Sequence, residues 1–451
     1  MNYFDFFLFA EEHIFDVVLF SVIVPLFYFV LYRKYIQSIF DPFFLIILIA
    51  GLSSSTVFLL YFNHAIKAEY FYQFLISEIA FIGGFFLFKP IYFKSYLKKI
   101  DVKYANFFNE QFVDILFVLS SILHIFFQLL TYKVVGIPLL LDSRMETFAG
   151  GSGFGIVGRI IEVTSVIGIF LLFYRIFYSR KRSFGRLYNW IYLLFVIAFF
   201  LLSGSKTNLI FLVYYLFFLN LYMSKIRGIK ARKVIEKIRK FQKILLYSSI
   251  PLIFLVMYIQ FVNSGATNSE GGPILAFGQR LISFGDIYYM TLPNDVIKSM
   301  NNDSGFLQLF KDPLGMLRVI PWTNLPTDCG IEIYAYHYPN GTLSGPNARY
   351  NYFAMLYFNI FGQVFFCFLL GLITSFIRNG LFKILPNNII FGAIYTLFSI
   401  NLVYIFQDQA FTVARFFNIA VLLPILMLIA MIVQYMIKIY ALRNFSKLTK
   451  L

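Results

Sequence analysis

The chain has 451 residues, a length that would suffice for two or three soluble domains. Its composition excludes that organisation, because 60% of the residues are hydrophobic, 21% are aromatic and only 13% are charged, about half of the charged share of a soluble protein. Apolar stretches recur along the chain, and most are near the roughly 20 residues that cross a bilayer as a helix. The sequence therefore predicts an all-α, polytopic membrane protein.

Eleven apolar stretches are predicted to be transmembrane helices. They divide the chain into a bundle of eight helices over residues 1–262 with an outer loop at 132–159, an outer cap over 263–350, and a last bundle of three helices with a cytoplasmic tail over 351–451. The predicted spans are 14–32, 42–62, 70–92, 112–131, 160–178, 188–203, 208–223, 244–262, 351–377, 388–406 and 411–437.

Basic residues are distributed unequally between the two sides of this predicted topology. With the amino terminus outside, 27 of the 38 Lys and Arg residues fall on the inner side, but only 5 of the 22 Asp and Glu residues do. This asymmetry is the positive-inside pattern, and the loop 225–243 alone carries nine bases. We therefore expect the net charge of +16 to orient the protein and to contact anionic lipid heads rather than nucleic acid.

The longest outer segment, 263–350, has 88 residues and is too long for an ordinary connection. Apolar residues recur with helical spacing from Gly271 to Thr291, where Pro293 ends the pattern. A second helix is predicted over 305–318, broken by Pro313. We expect a small helical cap that packs over the outer mouth of the bundle.

Several bases lie on the outer side, where the positive-inside rule disfavours them. A guanidinium holds phosphate oxygens in paired hydrogen bonds and does not lose its charge, so such a cluster predicts a site for a lipid-linked phosphate or pyrophosphate. Ion pairs with Asp142, Glu146, Asp286 or Asp328 are the alternative explanation for each arginine. The predicted pyrophosphate-binding residues are Arg144, Arg159, Lys206, Arg280, Arg318 and Arg349.

Two further patterns bear on the chemistry. The glycine-rich run from Gly150 to Gly158 matches a dinucleotide fingerprint only in spacing, because no strand precedes it. It leads into the fifth span, so its backbone N–H groups are a candidate anion site. Glu78 and Glu162 are predicted to lie within spans, where charged side chains are costly and often functional. No Cys/His cluster has the spacing of a metal site.

Some of these features are similar to those of the O-antigen polymerase (Wzy) family. Members share about eleven spans, a long outer loop late in the chain, and arginine-led outer segments that end in glycine after ten further residues. Arg144 and Gly155 have that spacing, and Arg318 and Gly330 are one residue further apart. The other matching segments are Gly204-Ser-Lys-Thr207, with Lys206 where many relatives have arginine, Arg280-Leu-Ile-Ser-Phe-Gly-Asp286, Gly345-Pro-Asn-Ala-Arg349 and Phe361-Gly362.

This resemblance implies a lipid-donor glycosyltransferase with a helical GT-C-type fold in a bacterial inner membrane. Such enzymes polymerise undecaprenyl-pyrophosphate-linked oligosaccharide units into O-antigen or capsule-like polysaccharide at the periplasmic face, by inverting glycosyl transfer. The resemblance implies no cofactor and no metal. It implies as partners the lipid-linked oligosaccharide, the bilayer and a chain-length regulator protein. An O-antigen ligase, or a flippase or transporter of lipid-linked oligosaccharide, remains the alternative.

A polymerase of this type needs a general base that deprotonates the acceptor hydroxyl. Asp286 and His337 are the candidate catalytic residues, because both lie in the long outer loop. His337 is flanked by Tyr336 and Tyr338, and its ordinary pKa is near neutrality. Asp286 lies six residues after Arg280 on the same predicted helix, a spacing that does not favour a local ion pair.

Overall fold

The computed structural model describes residues 1–100, 108–140, 155–178, 183–263, 283–302, 304–339 and 345–448. Within these ranges, helices are the only regular secondary structure. In chain order they are α1 (Tyr3–Glu12), α2 (Ile14–Tyr32), α3 (Pro42–Phe62), α4 (Ala68–Phe85), α5 (Phe93–Tyr96), α6 (Glu110–Val134), α7 (Gly155–Tyr178), α8 (Ser183–Leu202), α9 (Lys206–Arg227), α10 (Arg232–Asn263), α11 (Asp286–Thr291), α12 (Gly305–Met316), α13 (Cys329–His337), α14 (Tyr350–Tyr357), α15 (Ile360–Ser375), α16 (Phe382–Ile384), α17 (Ile389–Asn401) and α18 (Gln409–Leu448).

Nine segments of the described chain are long and apolar enough to cross a membrane. The predicted class, a helical polytopic membrane protein, is therefore confirmed, whereas the predicted number of eleven spans is not. Two differences account for the lower number. The helix α4 carries Glu69, Gln73 and Glu78 and is too polar to be included, and α9 and α10 fall into one apolar segment, Ile210–Val256.

Three predicted boundaries are wrong. The ninth predicted span, 351–377, consists of two helices, because Phe358 is extended and the Asn359 side chain caps α15 by accepting a hydrogen bond from the Gly362 amide (2.9 Å). Pro313 lies inside α12 without breaking it. The nine-base loop is mostly helix, since α9 runs to Arg227 and α10 begins after a turn of four residues. The short helix α1 has no counterpart among the predictions.

The chain folds into two compact units. The first comprises Met1–Ile91, Gly265–Ile384 and Ser399–Arg415, and the second comprises Tyr92–Ser264, Leu385–Phe398 and Phe416–Leu451. In the second unit, α6 packs on α7 and α9 packs on α10. The Arg175 guanidinium on α7 binds Asp114 of α6 and the Asn189 side chain of α8. Polar side chains thus connect three apolar helices of this unit.

In the first unit, α4 packs closely against α15 through glycine. A Cβ at Gly84 would lie 2.0 Å from the carbonyl oxygen of Phe368, and one at Gly371 would lie 2.1 Å from that of Phe81. Small residues of this kind let transmembrane helices approach closely. The Gln363 amide of α15 adds a hydrogen bond to the Ser77 hydroxyl (2.6 Å). This packing holds α4 in the helical bundle despite its polar residues.

Contacts within the first unit agree with the predicted alternation of sides. Segments predicted to lie outside contact one another: Tyr3 donates its amide to the Tyr338 hydroxyl (2.9 Å), and Lys67 pairs with Asp295. Segments predicted to lie inside do the same, since the Arg378 guanidinium binds the Asp41 carboxylate that caps α3. These contacts group the segments in the way that the predicted alternation does, and which end faces the cytoplasm stays a prediction.

Candidate functional site

A buried polar cluster occupies the interior of the first unit. It forms where two segments of the long loop, 284–291 and 345–351, pack against α3 and α4. Gly285 permits this approach, because a Cβ there would lie 2.1 Å from the Thr56 hydroxyl oxygen in α3. The side chains of Arg349, Asp286, Tyr288, Asn351 and Glu78 meet in this region.

The Arg349 guanidinium is the main positive charge of this cluster. The residue is only 6% exposed, and its Nη2 donates a hydrogen bond to the Phe284 carbonyl (2.8 Å). Within the described chain, its Nε and Nη1 atoms are buried and have no hydrogen-bond partner. Burying unpaired charged donors costs free energy unless a ligand satisfies them. The two free nitrogens are therefore a candidate anion site.

Asp286 supplies a negative charge that acts on the Arg349 guanidinium. The two side chains interact electrostatically but form no ion pair within 4.0 Å in the described structure. Burial raises the pKa of Asp286 to about 6, and the positive charge of Arg349 and the Ile287 amide (2.9 Å) oppose that rise. At neutral pH Asp286 is thus an ionised carboxylate that accepts a proton readily, as a general base must.

Asn351 connects the loop to α4. Its Nδ2 donates to Glu78 Oε1 (3.0 Å), and its Oδ1 accepts a hydrogen bond from the Tyr288 hydroxyl. The hydroxyls of Tyr28 and Tyr350 lie beside the same Glu78 carboxyl group. Glu78, which has no partner near it in sequence, is therefore bonded through Oε1 to Asn351 of α14, while its buried Oε2 has no hydrogen-bond partner in the described structure. This network fixes α11 and the start of α14, the two segments that carry Asp286 and Arg349.

His337, the other candidate base, lies at the end of α13. Its Nε2 is 2.8 Å from the Met290 carbonyl oxygen, so this nitrogen carries the proton and Nδ1 is left to accept one. Burial lowers the pKa of His337 below its ordinary value. Its surroundings include the amino terminus and Asp5. His337 thus contacts α11 through Met290 and the rings of Tyr336 and Tyr338, and no contact joins it to Arg349 in the described structure.

The remaining predicted site residues are dispersed. Arg318 is exposed at the end of α12 in a left-handed conformation (φ 54°) and makes no ion pair in the described structure. Arg159 lies in α7 and Lys206 is the first residue of α9, both in the second unit. Arg144 and Arg280 lie outside the described residues, as does most of the glycine-rich run. In the first unit, Arg349 and Asp286 are the predicted site residues that the fold brings together.

Ion pairing is the alternative explanation for the outer arginines, and no ion pair joins Arg159, Arg318 or Arg349 to an acid of the described residues. Asp328 pairs with Lys311 rather than with an arginine. Glu162 accepts a hydrogen bond from Asn418 (3.2 Å), and no ion pair joins it to Arg159. The acids Asp142 and Glu146 lie outside the described residues. Arg349 is thus a buried arginine that no carboxylate of the described residues contacts as an ion pair.

The sequence did not predict the tyrosine and amide side chains of the cluster. Tyr288 falls within the predicted helix from Gly271 to Thr291, and Asn351 is the first residue of the predicted span 351–377, and neither pattern indicates a polar cluster. A signal for them exists in Glu78, since a carboxyl group predicted within a span requires hydrogen-bond donors from other helices. The sequence could not show which of the many tyrosines would supply them.

Comparisons of the chain with protein-family models, with curated proteins and with solved structures find no match. The chemistry of the site therefore has to be argued from its own geometry. A buried guanidinium with two free nitrogens can bind phosphate oxygens. A carboxylate close to it, with a pKa of about 6, can take a proton from a hydroxyl group. Together they can bind an anionic leaving group and activate a nucleophile.

Proposed function

We propose that this protein is a membrane glycosyltransferase of the O-antigen polymerase type. In this proposal it extends polysaccharide chains from undecaprenyl-pyrophosphate-linked oligosaccharide units at the outer face of a bacterial inner membrane. The observation that carries the proposal is Arg349, a buried arginine with two nitrogens that have no hydrogen-bond partner in the described chain and with an electrostatic interaction with Asp286. This pair of groups suits a reaction in which pyrophosphate departs while a hydroxyl group loses its proton.

The transfer step assigns a separate role to each group. The Asp286 carboxylate removes the proton from an acceptor sugar hydroxyl, whose oxygen attacks the anomeric carbon of the donor chain. A new C–O bond forms as the bond between that carbon and the pyrophosphate oxygen breaks, so the configuration inverts. Arg349 stabilises the negative charge that develops on the leaving undecaprenyl pyrophosphate. The proton ends on Asp286 and passes to water when the products leave.

Deletion of the gene in the source bacterium tests this function in the cell. We expect surface polysaccharide to collapse to a single repeat unit, since units would still be made and exported but not joined. Expression of the wild-type protein from a plasmid should restore the ladder of chain lengths on a gel. A deletion strain that keeps its ladder would contradict the proposal. Loss of polysaccharide with accumulation of lipid-linked units on the inner side would indicate a flippase instead.

The proposal also requires the long loop to lie outside the cytoplasm. We expect a periplasmic amino terminus and a cytoplasmic carboxyl terminus, because the predicted inner segments 94–103 and 225–243 carry four and nine bases. Alkaline phosphatase fused after residue 300 should be active, and the same enzyme fused after residue 235 should not. β-Galactosidase fusions at these two points serve as the control and should give the opposite result. Phosphatase activity at residue 235 would overturn the orientation.

A further inference from the structure

A cavity of about 500 Å³ lies in the part of the first unit that the long loop forms, apart from Arg349 and Asp286. Its walls are α12, α13 and the segment 324–327 between them, and Tyr357 at the end of α14 closes one side. The volume falls within the roughly 300–1,000 Å³ of small-molecule sites. The lining is mixed: amide, hydroxyl and carboxyl groups alternate with the apolar side chains of Leu307 and Ile331.

Two hydrogen-bond acceptors of this cavity are fixed by the protein. Gln308 is 2% exposed, and its Nε2 donates to the Thr327 carbonyl (2.8 Å). Within the described structure, its Oε1 is buried without a hydrogen-bond partner, while the Tyr357 hydroxyl interacts with the same side chain. Glu332 is held by the backbone amide of Asn301, which donates to its Oε1 (2.7 Å). A buried amide oxygen that has no partner is costly, so a ligand that donates hydrogen bonds would stabilise this wall.

The charge of the lining excludes an anionic ligand. Among the described residues that line the cavity, Glu332 is the only charged one. The nearby Lys311 is on α12, and its ammonium group is already paired with Asp328. A phosphate group would therefore meet a carboxylate and no cation. A neutral ligand rich in hydroxyl groups suits the fixed acceptors, and the apolar side chains can cover the C–H faces of its rings.

We propose that this cavity binds neutral sugar residues of the oligosaccharide substrate. The claim that the sugar belongs to the oligosaccharide substrate rests on the proposed function. The claim that the ligand is a neutral sugar follows from the lining of the cavity. The helix α13, one wall of the cavity, packs closely against the segment that carries Arg349, because a Cβ at Gly330 would lie 2.0 Å from the Pro346 carbonyl oxygen. One loop therefore carries a sugar site in its cavity and a pyrophosphate site at Arg349.

Binding to the purified full-length protein in lipid nanodiscs tests this proposal without requiring turnover. The probes are maltose, cellobiose, chitobiose and the oligosaccharide released by mild acid from lipid-linked repeat units, each followed by saturation-transfer NMR. We expect at least one probe to bind saturably. Glu332→Gln should weaken its binding about 10-fold or more, since it removes a charged acceptor. Asn324→Ala, on the exposed rim, should weaken it by a smaller factor.

Lys298→Ala, an exposed position of the same loop outside the cavity, is the matched control and should bind like the wild type. Inorganic pyrophosphate, followed by ³¹P NMR, should bind equally to Glu332→Gln and to the wild type. The proposal is overturned if no sugar binds, or if both cavity variants bind sugar like the wild type. Sugar binding by a protein that forms no polymer would leave the cavity assignment standing and remove the proposed function. Polymer formation with unchanged sugar binding in both variants would remove the cavity assignment and leave the proposed function standing.

Discussion

Arg349→Lys should reduce polymerisation by about 10²–10³-fold, the loss typical of removing one group that stabilises a developing anion. Lysine retains the positive charge but is a point charge, so it cannot present the fixed array of N–H groups that a guanidinium offers to phosphate oxygens. It also cannot donate to the Phe284 carbonyl with the same geometry. The measurement is the initial rate of repeat-unit transfer by purified protein, at matched protein concentration.

Arg349 also has a structural contact, so loss of folding has to be separated from loss of chemistry. The thermal unfolding midpoint of Arg349→Lys should be measured beside its activity, together with inhibition by inorganic pyrophosphate. We expect pyrophosphate to inhibit the wild type and to inhibit the residual activity of the variant far less. Arg318→Lys is the comparison, because Arg318 is exposed and outside the cluster; it should retain activity within about twofold to threefold. A folded Arg349→Lys protein with normal rate and normal inhibition would refute the anion site.

Asp286→Asn should lower the transfer rate by about 10²–10⁴-fold, the usual contribution of a general base. Asparagine keeps the size of the side chain but cannot accept the proton. The pH profile gives a second and independent signature. Because the pKa of Asp286 is about 6, the wild-type rate should be level above that pH and should fall about tenfold for each pH unit below it.

Although Asp286→Asn should be less active, it should be at least as stable as the wild type. Since burial raises the pKa of Asp286 in the folded state above its ordinary value, ionisation of this carboxyl destabilises the fold as pH rises through that range. Asp286→Asn removes the penalty, so the variant should unfold at an equal or higher temperature than the wild type at pH 7.5. A base that is kept despite such a cost is typical of a functional site. His337→Gln should leave the pH profile unchanged; loss of the acid limb in that variant would identify His337 as the base.

Several helix positions could be predicted because a long apolar run indicates a helix that is removed from water, whether lipid or protein surrounds it. Two predicted spans, 14–32 and 42–62, coincide with α2 and α3. The prediction was wrong where a local cap outweighed hydropathy, as at Asn359, which separates α14 from α15. An apolar run in sequence does not distinguish a helix that faces lipid from one that is buried in protein. The eight residues of α14 are of the second kind, since six of them are buried.

The sequence named Arg349 and Asp286 as candidates by residue type, but their arrangement could not be predicted from it. The predicted outer-face arginines indicated an anion, but no sequence pattern distinguishes one of them from another. Folding distinguishes them: Arg349 is buried beside Asp286, whereas Arg318 is exposed at the end of a helix. The contact between Asn351 and Glu78 joins residues 273 positions apart. Spacing rules apply only to residues that are close in sequence. Residues this far apart are brought together only by tertiary packing, which the sequence pattern does not show.

Polymer formation by the purified protein tests the central claim most directly. The protein in nanodiscs would be mixed with undecaprenyl-pyrophosphate-linked repeat units from the deletion strain, with no nucleotide and no other protein present. We predict a ladder of lipid-linked oligosaccharides that grows by whole repeat units, with one undecaprenyl pyrophosphate released for each unit joined. Asp286→Asn and Arg349→Lys should form little or no ladder. Wild-type protein that leaves the single unit unchanged, while remaining folded, would contradict the account.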